Sequence, residues 1–302
     1  MSPVCPSEGQ PEGEPPSRRG RKPEPISPHA GACHRAWLEA VRSRLFASGL
    51  TLDELVERSG YSKTRISELL RGNGPYPRWE LTYSVIHVLG IPASPMRRLW
   101  KAAAHDARKK QAWIDRCIAT VAVSLGPDVP PLDHQGFTET NRAAYTDFAK
   151  VFLLNGERAS WVVAETFDIL WLCWDDALAS ADVQRFAWKV LRGRIMARIP
   201  QCEGGYPELR AAAFATVAQD QAADPAARFA QIEESFLLFE AISRLPDNQL
   251  DVTVLRYLCG LDDTTAADVM GVPLATVRSD DRHAQRTLHN TLIRRHPREC
   301  AP

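Results

Sequence analysis

The chain alternates apolar and polar positions at helical spacing over most of its length, and no convincing period-two run interrupts it, so the pattern predicts an all-α protein. Trp37, Val41, Leu45 and Phe46 mark a first helix. Thr51, with Glu54 three residues on, forms a capping-box signature for a short second helix. Ser59-Gly60-Tyr61 predicts a tight break, and Ser62 caps a third helix that runs to Arg71 and stops at Gly72. Leu52, Leu55, Val56, Ile66, Leu69 and Leu70 can share a small core. That leaves Lys63, Thr64, Ser67 and Glu68 on the opposite face, with Arg65 at its edge. A short helix, a glycine turn and a capped helix with a polar outer face make the helix-turn-helix pattern.

Further along, Phe137, Tyr145, Phe148 and Phe152 form one stripe that Asn155-Gly156 stops. Val163, Phe167, Leu170, Trp171 and Trp174 form a second. A third helix puts Val183, Phe186, Val190 and Leu191 inward and lines another face with Arg185, Lys189 and Arg192. Beyond it, a helix through Leu237 to Leu245 ends at Pro246. Leu250, Val254, Leu255 and Leu258 mark the next, closed by Gly260. Thr264 to Met270, Gly271 and a last helix after Pro273 repeat the helix-turn-helix logic.

Proline clusters divide the chain. Residues 1–33 are read as a disordered segment, because the first 30 hold eight prolines and almost no large apolar side chains. Helical domains are expected at 34–112, 136–200 and 231–297. The proline-bearing stretches GPDVPPLDH and PQCEGGYP fall within linkers at 113–135 and 201–230.

Charge sharpens this division. The net charge of zero hides 14 Lys+Arg against 7 Asp+Glu between Gly31 and Ala112, while the later segments are net negative. Polyanion binding is therefore favoured in the first folded segment. No apolar run reaches bilayer length and the N-terminus lacks the apolar stretch of a signal peptide, which predicts a cytoplasmic protein with no membrane partner. Seven scattered cysteines fit reduced thiols. His29, Cys33 and His34 have poor metal spacing. The chain carries no phosphate-cradling loop, dinucleotide fingerprint, HExxH or GxSxG, so no catalytic residue, metal or cofactor is expected and the chain is not read as an enzyme.

The stretch GLTLDELVERSGYSKTRISELLRG (Gly49 to Gly72), followed by PRWELTYSVIHVLGIP, resembles the Cro/repressor-type (XRE) helix-turn-helix family. The resemblance implies that Lys63, Thr64 and Glu68 face base edges, while Arg65, Ser67 and Arg71 contact phosphates. The later half resembles the sigma factor family, especially its small extracytoplasmic-function type. LPDNQLDVTVLRYLCGLDDTTAADVMGVPLATVRS is similar to the domain used on the −35 promoter element. FTETNRAAYTDFAKVFLLNGERASWVVAETFDILWLCWDD is similar to the domain that grips polymerase and opens the −10 element.

That likeness implies DNA contacts by Arg185, Lys189 and Arg192 and by Thr276, Arg278 and Arg282, with Glu165 and Asp168 as polymerase contacts. It also shows departures. Trp161 and Ala164 stand where the family usually has an Asp and a Gln, Gly193 stands near an expected Asn, and Asp280-Asp281 stand where a basic residue and a Leu are usual. Asp281 falls on the inward stripe of Val277, Ala284, Leu288 and Leu292, so it must find a partner, shift its pKa upward or distort the helix.

The reading is a bacterial DNA-binding transcription regulator, with an XRE-like domain joined to two small sigma-like helical domains. Double-stranded DNA is the expected partner, with RNA polymerase core and a second copy of the chain as further candidates. The rival readings are an active extracytoplasmic-function-type sigma factor, and a sigma-like decoy that binds polymerase or a regulator.

Overall fold

The computed structural model describes residues 24–121, 128–202, 204–209 and 225–295. Among these residues the protein is all-α, with fourteen α-helices and one isolated antiparallel bridge between Gln201 and Pro207. No helix among them is long and apolar enough to cross a membrane.

The first six helices are α1 (Ala32–Ser48), α2 (Leu52–Ser59), α3 (Lys63–Arg71), α4 (Trp79–Val88), α5 (Ala93–Asp106) and α6 (Gln111–Thr120). They enclose one apolar cluster in which Trp37, Leu38, Leu55, Ile66, Ile86, Trp100 and Ile114 are fully buried. Next come α7 (Leu132–Leu153), α8 (Gly156–Leu172), the short α9 (Trp174–Leu178) and α10 (Val183–Met196). The chain ends in α11 (Pro225–Ser243), α12 (Asp247–Thr253, continued by a π-helical turn at Val254–Leu258), α13 (Asp263–Met270) and α14 (Leu274–Arg295).

The middle and C-terminal helices do not form two separate cores. Tyr145, Phe148, Phe167, Trp188 and Leu191 belong to the same buried cluster as Leu250, Val254, Leu255, Met270 and Val277. Gly271, the turn between α13 and α14, sits directly on the start of α10. An added Cβ there would lie 2.2 Å from the Arg185 nitrogen and 2.5 Å from Asp182 Oδ1.

Polar contacts join the first six helices to α8–α10. Arg98 of α5 grips Asp168 of α8 with Nη2 at 2.6 Å from Oδ1 and Nε at 2.9 Å from Oδ2. Arg198, just past α10, donates to Glu165 Oε2 at 2.5 Å and to Cys33 Sγ at 2.9 Å, and Arg194 donates to the Ala32 carbonyl at 2.9 Å.

Several boundaries differ from the sequence expectation. Residues 24–33, assigned with the disordered segment, belong to the fold. The Ser27 amide donates to the Arg71 carbonyl at 2.8 Å and Cys33 is buried within α1, while residues 1–23 lie outside the described residues. The expected 113–135 linker contains most of α6, whose Ile114 and Cys117 are buried under α4 and α5, and the start of α7. Of the expected 201–230 linker, residues 203 and 210–224 lie outside the described residues and 225–230 open α11. Phe46 is 76% exposed while the adjacent Leu45 is buried, so Phe46 lies off the covered face of α1. On α10 the fully buried face is Ala187, Trp188, Leu191 and Ile195, so Val183, Phe186 and Val190 are only half covered. Packing on both α8 and α13 rotates the helix from the orientation its most apolar stripe suggests.

Candidate nucleic-acid interface

The α2–α3 unit is built by its caps. Thr51 Oγ1 accepts from the Glu54 amide at 3.3 Å while Glu54 Oε2 accepts from the Thr51 amide at 2.7 Å, closing the reciprocal box. The hydrogen bonds that Glu54 accepts from the Thr51 amide and hydroxyl hold its carboxyl below its usual range. Gly60 takes φ +73° in the turn, and Ser62 Oγ accepts from the Arg65 amide to start α3. With Ile66, Leu69 and Leu70 buried, Lys63, Thr64, Arg65 and Glu68 share the exposed side, and Ser67 and Arg71 are half-buried.

Lys63 Nζ lies 2.6 Å from Asp53 Oδ1 in an exposed pair, which solvent keeps weak. Arg71 is tied more closely. It pairs with Glu24 at 2.9 Å and its Nε donates to the Ser67 carbonyl at 3.2 Å. The segment before α1 thus covers one end of the expected interface.

The second basic face is divided. Arg185 and Lys189 are exposed, but Arg192 turns towards α12. Its Nε lies 3.0 and 2.9 Å from the two Asp251 oxygens and its Nη2 2.8 Å from Asp247. Trp188 Nε1 donates to Asp251 Oδ2 at 3.0 Å. Arg192, expected on DNA, is therefore a link between α10 and α12. The physical reason is that Asp251 is 1% exposed and needs a partner.

Burial pushes the Asp251 carboxyl up to about 6 against the pull of Arg192 and the Trp188 hydrogen bond, with Asp247 adding to the rise. The folded chain then holds this proton more tightly than the unfolded chain does. The stabilisation is complete below the ordinary carboxylate pKa and is lost as pH rises through about 6. Relative to Asp251→Asn, the parent is expected to lose roughly 2–3 kcal/mol of stability between pH 4 and 7. Denaturant unfolding of both proteins across that range measures the difference, and parallel pH profiles would exclude it.

In the third candidate face, Thr276 is half-buried, Arg278 Nε lies 3.3 Å from Asp263 Oδ2, and exposed Arg282 donates to the Arg278 carbonyl at 3.2 Å. Asp281 points inward as its spacing requires and has found partners. Arg256 forms an ion pair with it, Tyr257 OH donates at 2.9 Å and Gln285 Nε2 at 3.0 Å. The π-helical turn brings Arg256 and Tyr257 to this position, so α14 continues unbroken. Asp280, beside Asp281, is half-buried, and burial raises its carboxyl.

Glu165 and Asp168, expected as polymerase contacts, are engaged within the chain. Glu165 is 4% exposed and held by Arg198, and Asp168 is held by Arg98. Neither presents a free carboxylate. Sequence reasoning had no periodic signal for Arg98 or Arg198, whose partners lie 70 and 33 residues away. Asp251 also went unnoticed, although a carboxylate among Leu250, Val252 and Val254 is a signal that could have found it.

No protein-family model and no curated protein matches the chain.

Proposed function

We propose that the protein is a cytoplasmic transcription regulator that reads duplex DNA through α3. One observation carries the reading: α3 presents Lys63, Thr64, Arg65 and Glu68 together on an exposed, capped helix, with Lys63 engaged only in a solvent-exposed pair, whereas Arg192 is held by the buried Asp251 carboxylate. The segment around α3 also holds the net positive charge, at 14 basic against 7 acidic residues from Gly31 to Ala112. Lys63, Thr64 and Glu68 would meet base edges, and Arg65 and Ser67 phosphates.

The sigma-like half is the weaker candidate for promoter reading. Promoter elements more than two duplex turns apart, roughly 70 Å, need reading heads that can separate. Here the corresponding helices share one apolar cluster, and Gly271 rests on Arg185.

The test is selection of bound duplexes from a random library with the full-length protein, followed by gel shifts at two salt concentrations. Affinity is expected to fall steeply with salt. Lys63→Ala with Arg65→Ala should weaken binding by about 1–3 kcal/mol. No enriched sequence, or unchanged affinity of the double variant, would refute the assignment. Run-off transcription with core polymerase separates this reading from the sigma factor, which would start transcripts without another sigma present.

A further inference from the structure

Beside α3 lies a groove of about 410 Å³, and α3 itself supplies Arg65 to its wall. Its other cations are Arg78, at the start of α4, and Lys109, in the α5–α6 link. None of the three is ion-paired with a carboxylate among the described residues, although Arg71, Arg98, Arg192, Arg198 and Arg256 all are. Glu68 and Glu80 line the same groove, so its formal charge is one positive. Burial lowers the His34 pKa to about 4, which keeps that wall residue neutral near pH 7.

The remaining walls combine the rings of His34, Tyr61, Tyr76 and Trp113 with smaller and aliphatic residues such as Leu69 and Pro77. Tyr76 lies 5.0 Å from His34 and 6.5 Å from Trp113, centroid to centroid, and Trp113 stacks on Trp100 at 5.8 Å and 20°. Tyr76 is fixed by its hydroxyl, which donates to the Trp100 carbonyl at 2.6 Å. The α5–α6 link turns through Arg108 at φ +56°, a left-handed conformation unusual for a side-chain-bearing residue. Just beyond it, Lys109 Nζ stands 5.3 Å over the Trp113 ring. His34 Nε2 is buried without a hydrogen-bond partner among the described residues.

We propose that this groove binds a small planar aromatic acid carrying one negative charge, and that the bound acid weakens DNA binding by α3. The volume lies in the range of small-molecule sites. Tyr61, Tyr76 and Trp113 line the groove with ring surface against which a planar ring can pack edge to face, and one anion neutralises the groove's surplus charge. The coupling follows from Arg65, which a bound anion engages and which phosphate would otherwise use. The extra negative charge beside α3 also repels the DNA backbone. Acid and DNA then weaken each other by the same factor. The coupling rests on the DNA-binding reading, but the site itself does not.

The experiment is calorimetric titration of the full-length protein, without DNA, with benzoate, 2-naphthoate and indole-3-acetate, and with 2-naphthamide and cyclohexanecarboxylate as controls. At least one aromatic acid is expected to bind at sub-millimolar Kd, about tenfold tighter than either control. Lys109→Gln with Arg78→Gln should weaken that acid about tenfold. Naphthamide binding as well as naphthoate, no saturable heat from any of the three acids, or full affinity in the double variant would overturn the site. DNA binding is then measured by anisotropy with and without the acid. Loss of DNA affinity on adding it is expected, and unchanged affinity would overturn the coupling. Acid binding by a protein that holds no duplex would leave the site standing and remove the DNA reading. Duplex binding without acid binding would do the reverse.

Discussion

Gly271→Ala is expected to lower stability by about 3–5 kcal/mol and to loosen α13 and α14 from α10. The residue takes φ +63°, which alone costs an alanine about 1 kcal/mol. The larger part is steric. The new methyl would meet the Arg185 nitrogen at 2.2 Å and the Arg185 Cα at 2.8 Å, and backbone atoms cannot swing aside as a side chain can. Gly260→Ala is the internal control. Gly260 has φ +73°, but its added Cβ would meet nothing within 4 Å, so a loss of about 1 kcal/mol is expected. Urea unfolding of both variants reads the contrast, and equal midpoints would mean that the turn is not seated on α10.

Glu165→Ala is expected to cost about 3–5 kcal/mol, because it leaves the Arg198 guanidinium buried without its carboxylate. Both side chains are nearly covered, at 3% and 8% exposed, and Arg198 also holds Cys33 of α1. Burial, which the substitution leaves in place, raises the Cys33 thiol pKa, so Cys33 stays neutral and cannot replace the lost anion. A surface polymerase contact makes the opposite forecast, in which Glu165→Ala lowers polymerase affinity and leaves the unfolding midpoint alone. The double change Glu165→Leu, Arg198→Met removes both charges and should recover most of the stability. A double variant no better than the single one would show that the pair is not the origin of the loss.

The local elements were legible because short-range chemistry specifies them. Thr51, Glu54, Gly60, Ser62 and Gly72 each hold the position expected from their spacing, and the exposed side of α3 follows from the burial of Ile66, Leu69 and Leu70. The inward position of Asp281 followed from its distance to Val277 and Ala284. Faces set by distant partners were not legible. The inward turn of Arg192 depends on Asp251, 59 residues later, and α10 exposes a different face from the one its apolar stripe suggests because α13 packs on it. The prolines of the 113–135 stretch predict a linker, yet Trp113, Ile114 and Cys117 form a helical stripe ahead of them. The groove beside α3 was invisible to periodicity because its walls come from α1, α3, α4 and two links.

The shared core of the middle and C-terminal helices bears on how the chain is made. On the ribosome, α1–α6 can close on themselves as soon as α6 emerges, since nearly all of their buried cluster is drawn from their own residues. The next helices have no such completeness. Trp188 and Leu191 share their cluster with Leu250, Val254, Leu255 and Met270, which are synthesised some sixty to eighty residues later. At elongation rates of about 5–20 residues per second, the nascent chain carries that unfinished apolar surface for several seconds. Chaperone demand during synthesis should therefore concentrate in the interval between α10 and α13. A premature stop within it leaves a product whose N-terminal helices are folded and whose middle helices are adhesive.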